Sequence, residues 1–197
     1  MKKRILFVDC CIRRELSRTK QLADAAMEAL LNREDVEVET LTLMDEQLNF
    51  FSEGFFFQRE KLLGQKELSH PRFRYAHQFQ EADAILIAAP FWDLAFPALL
   101  KVYIENVSVE GITFGCDERG CFGTCKAEKL LFLTTRGGSY EGSEDEMGAR
   151  YLDALCRFFG IPEFACVAAD GLDLGITPPE EILAAAAERA KAAAKAL

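Results

Sequence analysis

Three short stretches of the chain carry residue types able to hold a ligand. The first is Ser17-Arg18-Thr19, two hydroxyls and a cation at what reads as the start of a helix. Such a terminus presents free backbone N–H groups and the positive end of the helix dipole, so hydroxyls placed there could hold a phosphate monoester. Arg18 itself, or one of Arg13 and Arg14, would add charge. A serine at a helix start is also the ordinary N-cap residue, and the stretch alone does not separate the two roles. The second stretch is Pro90-Phe91-Trp92-Asp93-Leu94, which follows an unbroken apolar run. Aromatics beyond the end of a buried strand are costly to leave in water, so a flat apolar ligand or a partner chain would cover them. The third is Thr135-Arg136-Gly137-Gly138-Ser139-Tyr140. Paired glycines let backbone N–H groups approach a ligand edge that a side chain would block; the bland alternative is a turn that needs positive φ.

The elements that position these stretches alternate between strand and helix. Residues 4–8 read as strand one, 10–16 as a loop and 17–31 as an amphipathic helix. Residues 36–43 read as strand two, with Val36, Val38, Thr40 and Thr42 on one face. Residues 44–80 show no strand signal and form a long insertion, with Phe50, Phe51, Phe55, Phe56 and Phe57, a helical stretch at 58–68 and a second one after Pro71. Residues 84–89 are apolar throughout, as in a strand buried on both faces of a parallel sheet. Pro97 stands where the next helix begins, and its apolar pattern runs to Val107.

The glycines between 111 and 123 suggest a loop with a small hairpin. Strand four is 129–133, and a helix over 144–159 follows, with the acids Glu144, Asp145 and Glu146 in its first turn, Gly160 at its C-cap and Pro162 beyond. Strand five is 165–169, and Thr177-Pro178-Pro179-Glu180 announces the last helix, with Thr177 as cap. This alternation predicts an α/β fold: a doubly wound five-stranded parallel sheet in the flavodoxin-like order 2-1-3-4-5. A single domain over residues 1–197 is expected, with the insertion at 44–80. In that topology loops one, three and four converge on one crevice beyond the carboxyl ends of the strands.

Composition narrows the partners. Lys and Arg total 23 against 32 Asp and Glu, a net charge of −9 with no basic stripe, which argues against nucleic acid. No segment reads as a membrane span, and the apolar start is broken by Asp9 too early for a signal peptide. Seven cysteines with no secretory signal point to a reducing compartment, with cytoplasm the expected location and the thiols free. The first loop holds no glycine, which excludes both the G-x-G-x-x-G turn and the Walker A loop.

In chain order these stretches resemble the FMN-dependent NAD(P)H azoreductases and quinone reductases of the flavodoxin-like fold. That family's turn after strand three commonly reads Pro-Met-Tyr-Asn-Phe, followed by Ile-Pro-x-x-Leu-Lys; here it is Pro90-Phe91-Trp92-Asp93-Leu94-Ala95-Phe96-Pro97-Ala98-Leu99-Leu100-Lys101. Its Gly-x-Thr-Phe is matched by Gly111-Ile112-Thr113-Phe114, and its Ser-Arg-Gly-Gly by Thr135-Arg136-Gly137-Gly138. Its Ser-x-Ser loop is matched by Ser17-Arg18-Thr19, and its Phe-Gly-Ile by Phe158-Phe159-Gly160-Ile161.

The resemblance implies FMN with its phosphate near Ser17 and Thr19, its ring against Pro90, Phe91, Trp92, Asp93 and Leu94, and its polar edge near Gly137 and Gly138. Cys10, Arg18, Thr135, Arg136 and Tyr140 complete the implied cofactor set, and Phe114, Phe158 and Phe159 the substrate pocket. It further implies NADH or NADPH as hydride donor to flavin N5, a quinone or azo compound as small-molecule acceptor, ping-pong kinetics, and a homodimer with interfacial active sites in which Phe158 or Phe159 enters the partner's pocket. No protein nucleophile or acid is then required, because the cofactor carries the chemistry. An electron carrier of the same fold, docking on a redox partner, is the alternative reading. A receiver-type signalling domain is disfavoured, because Asp9 lacks an adjacent acid and Pro90-Phe91-Trp92 occupies the strand-three end.

Asp93 departs from the family's Asn, replacing an amide donor by an acceptor. Cys116, Cys121 and Cys125 lack zinc-knuckle spacing and read as reduced loop thiols, so no metal is expected. Cys10 beside the flavin would be open to a depressed pKa. His70 and His77 read as exposed or capping residues, and the Phe-rich run as core, dimer interface or lid.

Overall fold

The computed structural model describes residues 2–197. Its strands are β1 (Lys3–Asp9), β2 (Val36–Thr42), β3 (Ala84–Ala88), β4 (Phe114–Asp117), β5 (Gly120–Gly123), β6 (Lys129–Thr135) and β7 (Glu163–Ala169). Five of them form one sheet in the order β2-β1-β3-β6-β7, every neighbouring pair parallel. Counted within the sheet this is the expected 2-1-3-4-5, and β4 and β5 form the separate antiparallel hairpin.

Helices cover both faces: α1 (Arg18–Leu31), α2 (Glu53–Gly64), α3 (Arg74–Glu81), α4 (Ala98–Val107), α5 (Met147–Phe159) and α6 (Pro179–Lys195). Because side chains alternate across a strand, β1 sends Ile5 and Phe7 to one core and Leu6 and Val8 to the other. The first core joins them to Leu22, Ala26 and Leu30 of α1 and Ala186 and Ala190 of α6. The second joins α3, α4 and α5 through Tyr75, Phe79, Leu100, Tyr103, Leu152 and Phe159. The central strand β3 is buried at every position, as its apolar run requires.

Several local expectations shift. On β2 the buried residues are Val36 and Leu41 while Thr40 is exposed, because an edge strand is covered on only part of its face. Helix α2 starts earlier than its apolar pattern implies, since the Ser52 side chain accepts from Phe55 N and caps it. Helix α5 begins at Met147, so Glu144 and Asp145 precede it and Glu146 caps it by accepting from Ala149 N. Pro178, not Thr177, stands at the N-cap of α6, with Pro179 at the first helical position. Gly160 closes α5 at φ 79°, the left-handed C-cap that glycine permits.

The cysteines need a larger correction. Cys116 and Cys121, expected as free thiols, face each other across the β4–β5 hairpin and are joined in a disulfide. Their register makes them directly opposed residues of a four-pair ladder, which spacing along the chain does not reveal. No helix is long and apolar enough to cross a membrane among the described residues.

The insertion starts at the carboxyl rim, where Asp45 pairs with Arg14 of the first loop at 2.7 Å, and its helical part packs on the segment that follows α4. Leu62, Leu63 and Leu68 lie on a small core of Phe73, Ala76, Val109 and Ile112. Arg59 donates to Ser108 O at 2.6 Å, and Asn106 donates to Asn49 O at 2.9 Å. Phe50, Phe56 and Phe57 remain exposed.

Candidate functional site

In a parallel sheet every strand points the same way, so all loops after the strands reach one rim. There β1, β3, β6 and β7 deliver four loops to a crevice of ≈ 220 Å³. Its walls are Ser17 and Arg18 from the first loop, Pro90, Phe91 and Trp92 from the second, and Thr135, Arg136 and Gly137 from the third. The convergence expected from topology is therefore present. Arg13, Leu172 and Asp173 complete the lining. Leu172 and Asp173 escaped the sequence reading; the available signal was that the loop after the fifth strand must end on the same rim.

The first loop presents an uncapped helix start. Ser17 occupies the N-cap position of α1 with extended backbone, yet its side chain makes no capping hydrogen bond and lies beside the Cys11 thiol. The plain N-cap reading is therefore wrong: Lys20 N donates to Ser17 O at 3.2 Å, while the N–H groups of Arg18 and Thr19 have no acceptor among the described residues and are left for another one. Arg13 makes no ion pair among the described residues, whereas Arg18 Nη1 donates to Asp173 Oδ1 at 2.7 Å.

Two residues assigned to this loop are not on the crevice wall. Thr19 is fully buried, its hydroxyl 2.6 Å from the Thr135 hydroxyl, and this bond ties the start of α1 to the end of β6. Cys10 is fully buried in the second core, and burial together with the Asp9 charge pushes its thiol up to about 12. A depressed pKa is thus overturned, since an apolar site disfavours the thiolate. Cys11 shifts in the same direction for the same first cause.

The aromatic turn is a tight two-residue hairpin. Trp92 and Ala95 pair as an antiparallel bridge, while Asp93 at φ 49° and Leu94 at φ 67° both hold left-handed backbone. A type I′ turn demands positive φ at both central residues. Asp tolerates that region, but for Leu it costs about 1–2 kcal/mol. The surroundings hold the turn in place: Phe91 N donates to Thr135 O at 3.1 Å and Met147 N to Leu94 O at 2.9 Å. Gly148 lets α5 come this close, because a Cβ there would lie 3.2 Å from Ala95 O. Trp92 stays 41% exposed and Leu94 43%, so the turn offers an apolar ledge beside the crevice. Asp93 is exposed on the same turn.

In the third loop Gly137 and Gly138 have ordinary negative φ, so left-handed backbone is not why glycine is there. Space is the reason at Gly137, where a Cβ would stand 2.5 Å from Asp173 Oδ2. The N–H groups of Gly137 and Gly138 donate to no backbone acceptor among the described residues, while their carbonyls accept from Asp173 N and Gly171 N at 2.8 and 2.9 Å. Tyr140 stacks on Phe91 with ring centroids 4.6 Å apart and backs the aromatic wall rather than lining it.

Arg136 belongs to an internal network. Its guanidinium pairs with Glu146 at 3.1 Å and Asp170 at 3.4 Å, with side-chain exposures of 5%, 8% and 16%. Asp170 also accepts from Tyr140 N at 2.8 Å, so the network fixes the third loop against the loop after β7. Its Nε is buried without a partner, the only such side-chain atom among the crevice residues.

Phe159 is 2% exposed and packs on Phe79 at 5.4 Å, so as a core residue it cannot reach a substrate. Phe114 and Phe158 stack on each other at 4.7 Å, half-buried and outside the crevice of this one chain. A larger cavity of ≈ 780 Å³ lies against β7 between α5 and α6. Its cations already have protein partners: Arg150 donates to Glu144 O, Arg189 to Ala168 O, and Arg136 pairs as above. The smaller crevice alone combines free donors, an unpaired cation and an aromatic wall, the donor set that a phosphorylated aromatic ring requires.

A family profile described as flavodoxin-like fold matches residues 3–194. The chain is 40% identical over 184 residues to an FMN-dependent NADH:quinone oxidoreductase 2 of Clostridium acetobutylicum, covering 91% of this chain and 92% of the relative. An FMN-dependent NADH:quinone oxidoreductase of Clostridium perfringens is 37% identical over 185 residues, with coverage of 91% and 92%. Among solved structures, an azoreductase from Bacillus anthracis superposes with a TM-score of 0.88 at 26% identity, covering 99% of this chain and 100% of that one.

Proposed function

The chain belongs to the flavodoxin-like fold family, among the FMN-dependent NADH:quinone oxidoreductases and azoreductases, and from that premise we propose that its rim crevice binds FMN and serves NAD(P)H-dependent reduction of quinones or azo compounds. The observation that carries this reading is the uncapped start of α1 with Ser17 and Arg13 beside it, facing the same crevice as Phe91 and Trp92.

FMN would supply the two-electron redox chemistry between NADH or NADPH and the acceptor, with donor and acceptor alternating in one pocket. The residues of this chain supply binding and orientation. Ser17, the N–H groups of Arg18 and Thr19, and Arg13 would hold the FMN phosphate. Pro90, Phe91 and Trp92 form the apolar wall for the ring, and the N–H groups of Gly137 and Gly138 donate to its polar edge. Asp93 places an acceptor at the rim where the family commonly has an amide.

At ≈ 220 Å³ the crevice is below the ~300–1,000 Å³ usual for a small-molecule site, so part of the ligand projects beyond this chain. A second copy of the chain, forming a homodimer, covers that part, with Phe114 and Phe158 facing the partner's crevice. A cytoplasmic location belongs to the same proposal, with five thiols left free.

The test is direct. Full-length protein should be purified yellow or take up FMN with quenching of flavin fluorescence, and its FMN-loaded form should oxidise NADH or NADPH rapidly once a small quinone is supplied, while FMN-free protein should not. Protein that takes up no FMN at tens of micromolar refutes the reading. FMN uptake without turnover on small quinones would instead support the electron-carrier alternative.

A further inference from the structure

The exposed end of the β4–β5 hairpin carries chemistry that the crevice does not use. Cys116 and Cys121 are both exposed, opposite each other in the ladder and disulfide-bonded. The other five cysteines are sheltered: Cys10, Cys11 and Cys156 are buried, Cys125 and Cys166 half-buried. Burial pushes the Cys125, Cys156 and Cys166 thiols up to about 12, which leaves little thiolate to react.

The hairpin has a firm root and a weak tip. At the root, Gly123 lies flat on the end of α5, where a Cβ would come within 2.2 Å of Phe159 and Gly160 backbone. Thr124 Oγ1 donates to Ile112 O at 2.6 Å, Gly111 N donates to Phe114 O at 2.7 Å, and Phe114 stacks on Phe158. Beyond the root there is only the disulfide, a local Asp117–Arg119 pair, and Phe122 lying across Gly115 while half exposed. A two-stranded hairpin is marginal in water without such a fastening.

We propose that Cys116 and Cys121 are a reversible thiol–disulfide couple, open to exchange with dithiols and with glutathione disulfide, whose reduction frays the hairpin tip while the root stays in place. In the reducing direction a thiolate of the dithiol attacks one cysteine sulfur and breaks the S–S bond. The released cysteine sulfur takes a proton. The second thiol of the reductant then displaces the other cysteine, so the pair gains two electrons and two protons and the reductant leaves as its own disulfide. Glutathione disulfide reverses the step. This inference stands apart from the flavin reading, since it requires nothing in the crevice.

The experiment uses the folded full-length chain. Protein equilibrated with glutathione disulfide is exposed to dithiothreitol without denaturant, quenched, alkylated and analysed by peptide mass. The expected result is that Cys116 and Cys121 resist alkylation before reduction and both gain an alkyl group after it, with the other five unlabelled, and that glutathione disulfide restores the bond. Backbone hydrogen exchange over residues 115–122 should speed on reduction by roughly tenfold or more, the loop-closure effect of so short a ring, while the sheet is unchanged. The C116S/C121S double variant should exchange like the reduced protein and show no response to dithiothreitol. The proposal fails if both cysteines are alkylated in oxidised protein, if the bond survives dithiothreitol in the folded state, or if exchange in the double variant still responds to the reductant.

Discussion

Replacing Arg136 by methionine tests whether the third loop is held by a buried charge network. Methionine keeps most of the volume of the side chain and removes its charge, leaving Glu146 and Asp170 without their cation at 8% and 16% side-chain exposure. Breaking a buried pair from one side costs about 3–5 kcal/mol, mostly the penalty of the charge left behind. Glu146 keeps its bond from Ala149 N and Asp170 its bond from Tyr140 N, which puts the expected loss at the lower end, about 3 kcal/mol. With an unfolding entropy of about 2.1 cal/mol/K per residue over 197 residues, roughly 0.4 kcal/mol/K, Tm should fall by about 7 °C. Calorimetry reads this directly. Adding Glu146→Gln to the variant should recover part of the loss, because one of the two stranded carboxylates is gone. A Tm within about 2 °C of wild type, or no recovery in the double variant, would show that the network does not hold the loop.

Other perturbations separate binding from folding. Ser17→Ala should weaken FMN about tenfold or more, the value of a hydroxyl bond to a charged group, and leave the Tm of the FMN-free protein nearly unchanged because Ser17 caps nothing; fluorescence titration and calorimetry check both halves. Leu94→Gly should relieve left-handed strain and raise stability by up to about 1 kcal/mol in urea unfolding, whereas Leu94→Val should lower it. Cys10 gives a pH dependence: its thiol stays protonated to about 12 in the folded state while the unfolded thiol ionises near 9.0. Its contribution is complete below pH 9 and is lost as pH rises through that window, at about 1.4 kcal/mol per pH unit. Urea midpoints measured from pH 8 to 10 should therefore fall less steeply for Cys10→Ala than for wild type, and equal slopes would contradict the assignment.

Much of the fold was legible in the sequence because local patterns follow backbone geometry. The apolar run at Ala84–Ala88 marks a strand covered on both faces, and Gly160 beyond α5 marks a left-handed cap. Alternating strands and helices with right-handed crossovers leave few topologies, and the parallel sheet then sends the loops bearing Ser17, Trp92 and Gly137 to one rim. The convergence of the crevice was thus contained in the element order. Its relation to a flavin site rested on motifs in series, which a linear chain displays.

The fates of individual side chains were decided by partners far away in the chain, which spacing cannot reveal. Thr19 meets Thr135 across 116 residues and is withdrawn from the crevice, and Arg136 is taken up by Glu146 and Asp170. Phe159 is buried by Phe79, a residue of α3 in the same core. The Cys116–Cys121 bond depends on a register that only the folded hairpin defines. Sequence set the period of each element and the rim to which its loop runs, because both follow from local backbone geometry. Tertiary packing set which polar groups remain free for a ligand, because most buried donors and acceptors are taken by partners that only the fold brings near.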